Sequence, residues 1–212
     1  NKSFDKYNGK LTEKYGTPYY LTLAERNKIA DFDLSKFPAL EIQRDIFIFQ
    51  CLIGCRVSDL MKMRPENIIN KAIEYIPHKT REDRPMIVRV PLNDRAIALV
   101  KKYRDKDKKG RLFPFISPQK YNDAIKNILK ACDITRLVTV VDPVSGDEVK
   151  KPINEIASSH MARRTFVGNL YKKVKDPNLV GSLSGHKEGS KAFVRYREID
   201  DEVKTELVKM IE

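Results

Sequence analysis

The chain has 212 residues, enough for one substantial core, and carries 41 Lys and Arg against 29 Asp and Glu, a formal net charge of +12. That excess points to a polyanionic partner, with nucleic acid the leading candidate. No apolar run approaches membrane-spanning length and no signal peptide opens the sequence, so the expectation is a cytoplasmic protein (on the nucleoid when bound to DNA) with no membrane partner.

Residues 1–20 are polar, punctuated by Gly9, Gly16 and Pro18, and read as a linker or frayed arm; residues 21–212 read as one domain. A helix is expected from Thr22 to about Asp31. The apolar density of Leu40, Ile42, Ile46, Phe47, Phe49, Leu52 and Ile53 predicts a helix over 38–53 that is buried on most sides and ended by Gly54. Arg56 then projects from a turn into a short helix capped by Ser58, with Asp59 in the first turn. From Asn67 to Val90 the period changes. Ile68–Ile69, Ile73–Pro77 and Met86–Val90 predict a three-stranded antiparallel sheet, whose His78–Pro85 turn carries Lys79, Arg81 and Arg84.

Leu92 to Arg104 is amphipathic, with Ile97, Val100 and Tyr103 inward, and ends in the charged, solvated run 101–109. Ser117-Pro118 opens a helix whose core face is Tyr121, Ala124, Ile125, Ile128, Leu129 and Cys132. Leu137–Val141 and Glu148–Ile153 flank Asp-Pro-Val-Ser-Gly, a hairpin signal. Helices follow over 159–174, from Asp176-Pro177 to Gly185, from Ser190, and from Asp200 to Ile211. The fold class is mainly α with a small antiparallel β-sheet. Cys51, Cys55 and Cys132 are odd in number among apolar neighbours, which predicts buried thiols rather than disulfides. With no matching His or Cys cluster, neither a metal nor a cofactor is expected.

The chemistry concentrates between Ser158 and Arg197. His160 and Arg163, three apart, share one side of a helix opening near Ser159, where backbone N–H groups favour an anion. A Gly185-His186 corner follows, and ten residues after His186 comes Tyr196, between Arg195 and Arg197. Guanidinium, imidazole and phenol supply a clamp, a proton carrier and an oxygen nucleophile, the set that phosphate chemistry requires.

In order and spacing these residues resemble the catalytic domain of the tyrosine recombinases, the phage-integrase family. His-Met-Ala-Arg-Arg-Thr-Phe (160–166) and the stretch 184–198 match its H-x-x-R, Gly-His and tyrosine signature, and Gly-Cys-Arg-Val-Ser-Asp-Leu (54–60) matches its first-arginine motif. Asp59 stands where Glu is usual, and the His-to-Tyr spacing is one residue longer than the common nine. The resemblance implies a DNA recombinase or integrase of a mobile element that works through a 3′-phosphotyrosine bond. Arg56 and Arg163 would clamp the phosphate, Lys79 would act as general acid and His160 would handle the tyrosine proton. His186 would donate to a phosphate oxygen and Tyr196 would be the nucleophile. It further implies a chain that is monomeric in solution and a homotetramer on DNA, with the Val203, Leu207 and Met210 stripe docking on a neighbour. The alternatives are a type IB topoisomerase-like relaxing enzyme and a non-catalytic DNA-binding protein. Tyr171, the other tyrosine of the stretch, precedes His186 and is on the wrong side of it.

Overall fold

A computed structural model describes residues 19–78, 85–142, 144–186 and 208–209. The stretch 1–18, the residues around Lys79, Tyr196 and nearly all of the segment where a C-terminal helix with a Val203, Leu207 and Met210 stripe is expected lie outside these residues.

The order is α1 (Leu23–Asp31), α2 (Pro38–Ile53), α3 (Val57–Leu60), β1 (Ile68–Ile69), β2 (Ala72–Tyr75), β3 (Val88–Pro91), α4 (Asp94–Tyr103), α5 (Pro118–Ala131), β4 (Leu137–Val141), β5 (Glu148–Pro152), α6 (Ser159–Val174) and α7 (Pro177–Ser184). The mainly helical architecture with small antiparallel sheets is the one expected. Its boundaries follow local chemistry. Thr22 and Glu25 form a reciprocal capping box on α1. Pro38 opens α2 with a pre-set φ, and Gly54 closes it in the left-handed region at φ +69°. Ser117 accepts from the Lys120 amide ahead of Pro118, and Asp176 accepts from Asn178 and Leu179 at the head of α7.

Helix α2 is the centre of the molecule, and α1, α4, α5 and α6 pack around it. From Gln43 to Ile53 every residue of it is buried, which explains the apolar density of Ile46, Phe47, Ile48, Phe49, Leu52 and Ile53. Its two buried charges are matched. Arg44 donates to the carbonyls of Ile29, Ala30 and Phe32, which finish α1, and also to Asp45. Asp45 in turn accepts from Lys102 at 2.7 Å and from the Tyr103 hydroxyl at 2.8 Å, tying α4 to α2.

The three-stranded sheet has the order β1-β2-β3. Ile73 pairs with Val90 and Tyr75 with Val88 on the buried face, while Glu74 and Arg89 pair as ions on the other. Asn70 and Lys71, both at positive φ, make the two-residue hairpin between β1 and β2, a role open to Asn but not announced by Lys. Strands β4 and β5 form a separate hairpin whose inner residue Val138 reaches the core.

One sequence expectation is corrected. The cap of α3 is Arg56, not Ser58: the amides of Asp59 and Leu60 both donate to the Arg56 carbonyl, so the single turn starts two residues earlier. Cys55 stands beyond the left-handed Gly54, outside the helix that carries Cys51. All three cysteines are buried free thiols, and burial raises their pKa values.

Gly54 is also where α6 crosses α2. A Cβ added there would lie 2.2 Å from a Phe166 ring carbon, whereas at Gly110, also at positive φ, the nearest atom is the movable end of Arg64 at 3.1 Å. Alanine at either glycine meets a left-handed backbone costing about 1–2 kcal/mol. At Gly54 alone it must also displace an aromatic ring, a further ~1–3 kcal/mol. Urea unfolding should therefore show Gly54→Ala clearly less stable than Gly110→Ala; equal losses would contradict the packing described.

Candidate active site

The site forms where the first-arginine turn, the start of α6 and the end of α7 meet. The turn is held from behind by two fully buried side chains. The Tyr121 hydroxyl of α5 donates to Gln50 Oε1 at 3.0 Å, and Gln50 Nε2 donates to the Cys55 carbonyl at 3.1 Å. On the other side, the Asn122 amide oxygen accepts from the Ser159 N–H at 2.9 Å and fixes the head of α6. Helix α5 thus positions both arginine-bearing segments through consecutive residues.

Arg163 lies in the first turns of α6 and is 4% exposed. Its Nη1 donates to the Gly54 carbonyl at 2.8 Å and to the Ser184 carbonyl at 2.6 Å, bracing the C-terminal ends of α2 and α7. Its Nη2 sits 3.2 Å from both ring nitrogens of His186, which sets it against the ring's face rather than in line with one lone pair. Positively charged groups suit helix C-termini, where the last carbonyls lack helical partners.

His186 follows Gly185, the left-handed cap of α7, and its amide donates to the Gly181 carbonyl. Gly185 is wedged against Pro77 and Val88, so α7 ends on the same end of the sheet from which the Lys79 turn departs. Asp59 holds that departure point from the other side, its Oδ1 accepting from the His78 N–H at 2.9 Å. Lys79 and Tyr196 lie outside the described residues.

His160, on the first turn of α6, and His186 share one electrostatic environment. Loss of water around the ring, followed by the charges of Arg164, Arg163 and Arg56, lowers His160 to about 4. Burial first, then Arg163, Arg56 and His160, brings His186 to about 3. Both imidazoles are therefore neutral near pH 7. Arg56 is partly buried, and its Nη1 is enclosed without a hydrogen-bond partner among the described residues, as is Asp59 Oδ2. A buried guanidinium nitrogen without an acceptor, among further cations and two neutral imidazoles, makes a site built to receive an anion. Four of the residues singled out from sequence, Arg56, His160, Arg163 and His186, are thus brought together.

Sequence reasoning passed over the supporting residues: Gln50 and Tyr121, Asn122, and Ser184, whose hydroxyl lies 2.7 Å from His186 Nδ1. The partners of the first three are distant in the chain or use backbone atoms, and the Ser184–His186 pair, two residues apart, meets only because Gly185 between them turns left-handed, so no spacing reveals them. Tyr171 packs with Val167 and Val180 in a small cluster between α6 and α7.

The histidines link stability to pH with a definite sign. The unfolded ring titrates near its ordinary value of 6.5, the folded His186 ring near 3, so between these values the unfolded chain binds more protons. The contribution is fully present above about pH 6.5 and is lost as pH falls toward 3. Urea midpoints at pH 7.5 and 4.5 should drop less in His186→Gln than in the parent chain; an equal drop would show that the ring is not held neutral by the fold.

Among the described residues no helix is long and apolar enough to cross a membrane. The sequence profile of the phage integrase family matches residues 20–202. No curated protein is matched. The fold is similar to the XerH site-specific recombinase bound to palindromic difH substrate in a post-cleavage complex, at a TM-score of 0.64 and 15% identity over 92% of this chain and 54% of that one. It is likewise similar to the lambda integrase catalytic core (0.55, 16%, 82% of this chain and 95% of that one) and to the Tn1549 transposon integrase in complex with a circular intermediate DNA (0.57, 13%, 92% and 67%). The chain therefore spans about half the length of the XerH recombinase and most of the isolated lambda catalytic core. Matched by the family profile over most of its length and folded as these enzymes are, the chain belongs to the phage integrase family and has the fold of a tyrosine recombinase catalytic domain.

Proposed function

We propose that this domain cleaves and rejoins double-stranded DNA as the catalytic part of a mobile-element integrase or site-specific recombinase, through a 3′-phosphotyrosine intermediate. The observation that carries the reading is the junction of Arg56, Arg163 and two neutral imidazoles, with a buried Arg56 nitrogen that has no acceptor among the described residues. A phosphodiester supplies the missing acceptor. Its two non-bridging oxygens suit a pair of guanidinium groups, which donate in planar forks and never lose their charge.

On this reading the Tyr196 oxygen attacks phosphorus in line. A P–O bond to tyrosine forms, the bond to the 5′-oxygen breaks, and the strand is left with a 3′-phosphotyrosine and a free 5′-hydroxyl. Phenol titrates near 10, so its proton must be removed as attack proceeds. His160 is the base for that step: its ring, at the head of α6, is neutral at pH 7. Lys79 protonates the departing 5′-oxygen, from a turn whose first residue is held by Asp59 and whose strands abut Gly185. His186 contacts a phosphate oxygen. Rejoining runs the same steps backwards, and because the phosphodiester energy is kept in the covalent bond, no ATP is required. The excess of cations in the chain supplies the attraction to DNA. Assembly as a homotetramer on DNA from free monomers belongs to the same proposal, as does the trans docking of the Val203, Leu207 and Met210 stripe.

Covalent trapping tests this. The chain is mixed with a library of nicked duplexes, which lose the 5′-hydroxyl strand after cleavage and so cannot be resealed. The parent chain should yield a denaturation-resistant adduct at a DNA 3′ end. Tyr196→Phe should bind DNA within about two-fold of the parent and yield none, since only a hydroxyl is removed. An adduct that persists in Tyr196→Phe and vanishes in Tyr171→Phe would move the nucleophile to a residue that the fold packs between α6 and α7.

A further inference from the structure

We propose that Ser184 is a positioning residue for this chemistry: its hydroxyl fixes the His186 ring as the Nδ1–H tautomer and leaves Nε2 as the ring's hydrogen-bond acceptor and base. Ser184 is the last residue of α7 and is fully buried. Its Oγ lies 2.8 Å from the Val180 carbonyl one turn back, 3.5 Å from the Gly181 carbonyl and 2.7 Å from His186 Nδ1. A hydroxyl has a single proton. Were it directed at Nδ1, the Ser184 and Val180 oxygens would face each other at 2.8 Å as two acceptors with nothing between them. Directed at Val180, it leaves Oγ as an acceptor, and Nδ1–H fills the shorter contact. Only this placement puts one proton in each short contact, which burial demands.

Arg163 determines the rest. Its Nη2 stands 3.2 Å from both ring nitrogens, so a second proton on the ring would create an imidazolium against a guanidinium. Burial is the first cause keeping the ring neutral, and among the described residues the cations Arg163 and Arg56 and the titratable His160 face it and add to that effect. A neutral ring protonated at Nδ1 carries its lone pair on Nε2. Ser184 serves both partners at once: its carbonyl accepts from Arg163 Nη1 at 2.6 Å, so one residue orients the guanidinium through its backbone and the imidazole through its side chain.

The inference rests on the recombinase reading for its consequence. His186 meets an incoming phosphodiester as an acceptor. To donate to a phosphate oxygen it must first take a proton from solvent at Nε2, as the anion offsets the arginine charge; Nδ1–H remains on Ser184 throughout.

Long-range proton–nitrogen NMR on the uniformly nitrogen-15-labelled full chain tests the tautomer without DNA, with His186→Gln identifying the ring. At pH 7 the parent should show a protonated Nδ1 and an unprotonated Nε2. Ser184→Ala should shift the ring toward Nε2–H, and Ser184→Thr, which keeps the hydroxyl, should retain the parent pattern. An unprotonated Nδ1 in the parent, or a parent-like ring in Ser184→Ala, would overturn the proposal. On nicked DNA, Ser184→Ala should form adduct roughly ten-fold more slowly, short of the ~10²–10⁴ associated with loss of a general acid or base. If the ring shifts as expected while adduct formation is unchanged, the tautomer assignment stands and it is the use of His186 in the reaction that falls.

Discussion

One guanidinium holds the candidate site together. Arg163 is almost wholly buried, and a buried charge is tolerated only when it is well partnered. Its partners are the ends of two helices. The Gly54 and Ser184 carbonyls are among the acceptors that α2 and α7 leave unfilled where they stop, and one nitrogen of Arg163 satisfies both. The partial negative charge of two helix C-termini stabilises the cation, and the cation joins the ends. Because α2 ends at Gly54, two residues before Arg56, and α7 ends at Gly185, one before His186, joining those ends also sets the positions of the other functional groups.

The electrostatics follow from the same contacts. Having used one nitrogen on the helix ends, Arg163 presents the other to His186, and burial together with that guanidinium keeps the ring uncharged. His160, at the positive end of α6 and within the field of three arginines, is neutral for a related reason. Arg56 faces the same region with a nitrogen that has no acceptor among the described residues. Proton acceptors are thus held beside permanent cations. Such an arrangement would be unstable as a random cluster, but it becomes favourable when an anion sits among the cations.

How much of this was legible in the sequence depended on the range over which each feature is determined. The helices were readable because their punctuation is local: Pro38 and Gly54 bracket α2, Ser117-Pro118 opens α5, and Asp176-Pro177 with Gly185 bounds α7. The H-x-x-R pair was readable because a helix turns every 3.6 residues, so its two members had to share a side. The cap of α3 was misplaced at Ser58 because a hydroxyl before an acidic residue is a strong local signal. What decided the matter was the left-handed Gly54, which sent the chain straight into an Arg56-capped turn. The Tyr121–Gln50–Cys55 relay and the Ser184–His186 contact were not legible. The first spans 71 residues between two of its members, and the second depends on a helix end meeting a ring whose neighbours come from elsewhere. Lys79 and Tyr196 stood out only through the resemblance to a family, since a basic turn and a tyrosine between arginines have ordinary structural uses.

Hydrogen exchange of the α7 amides in Arg163→Ala tests the central claim, that the buried guanidinium joins the ends of α2 and α7, most directly. A hydrogen bond to a charged group contributes about 1.5–3 kcal/mol, so losing this bracket should speed local opening of 177–184 by roughly ten-fold or more. Amides in α4, which is tied to α2 through Asp45 and not through Arg163, should exchange at the parent rate. Unchanged protection across α7 in the variant would contradict the account, because the helix would then be held in place by its packing alone.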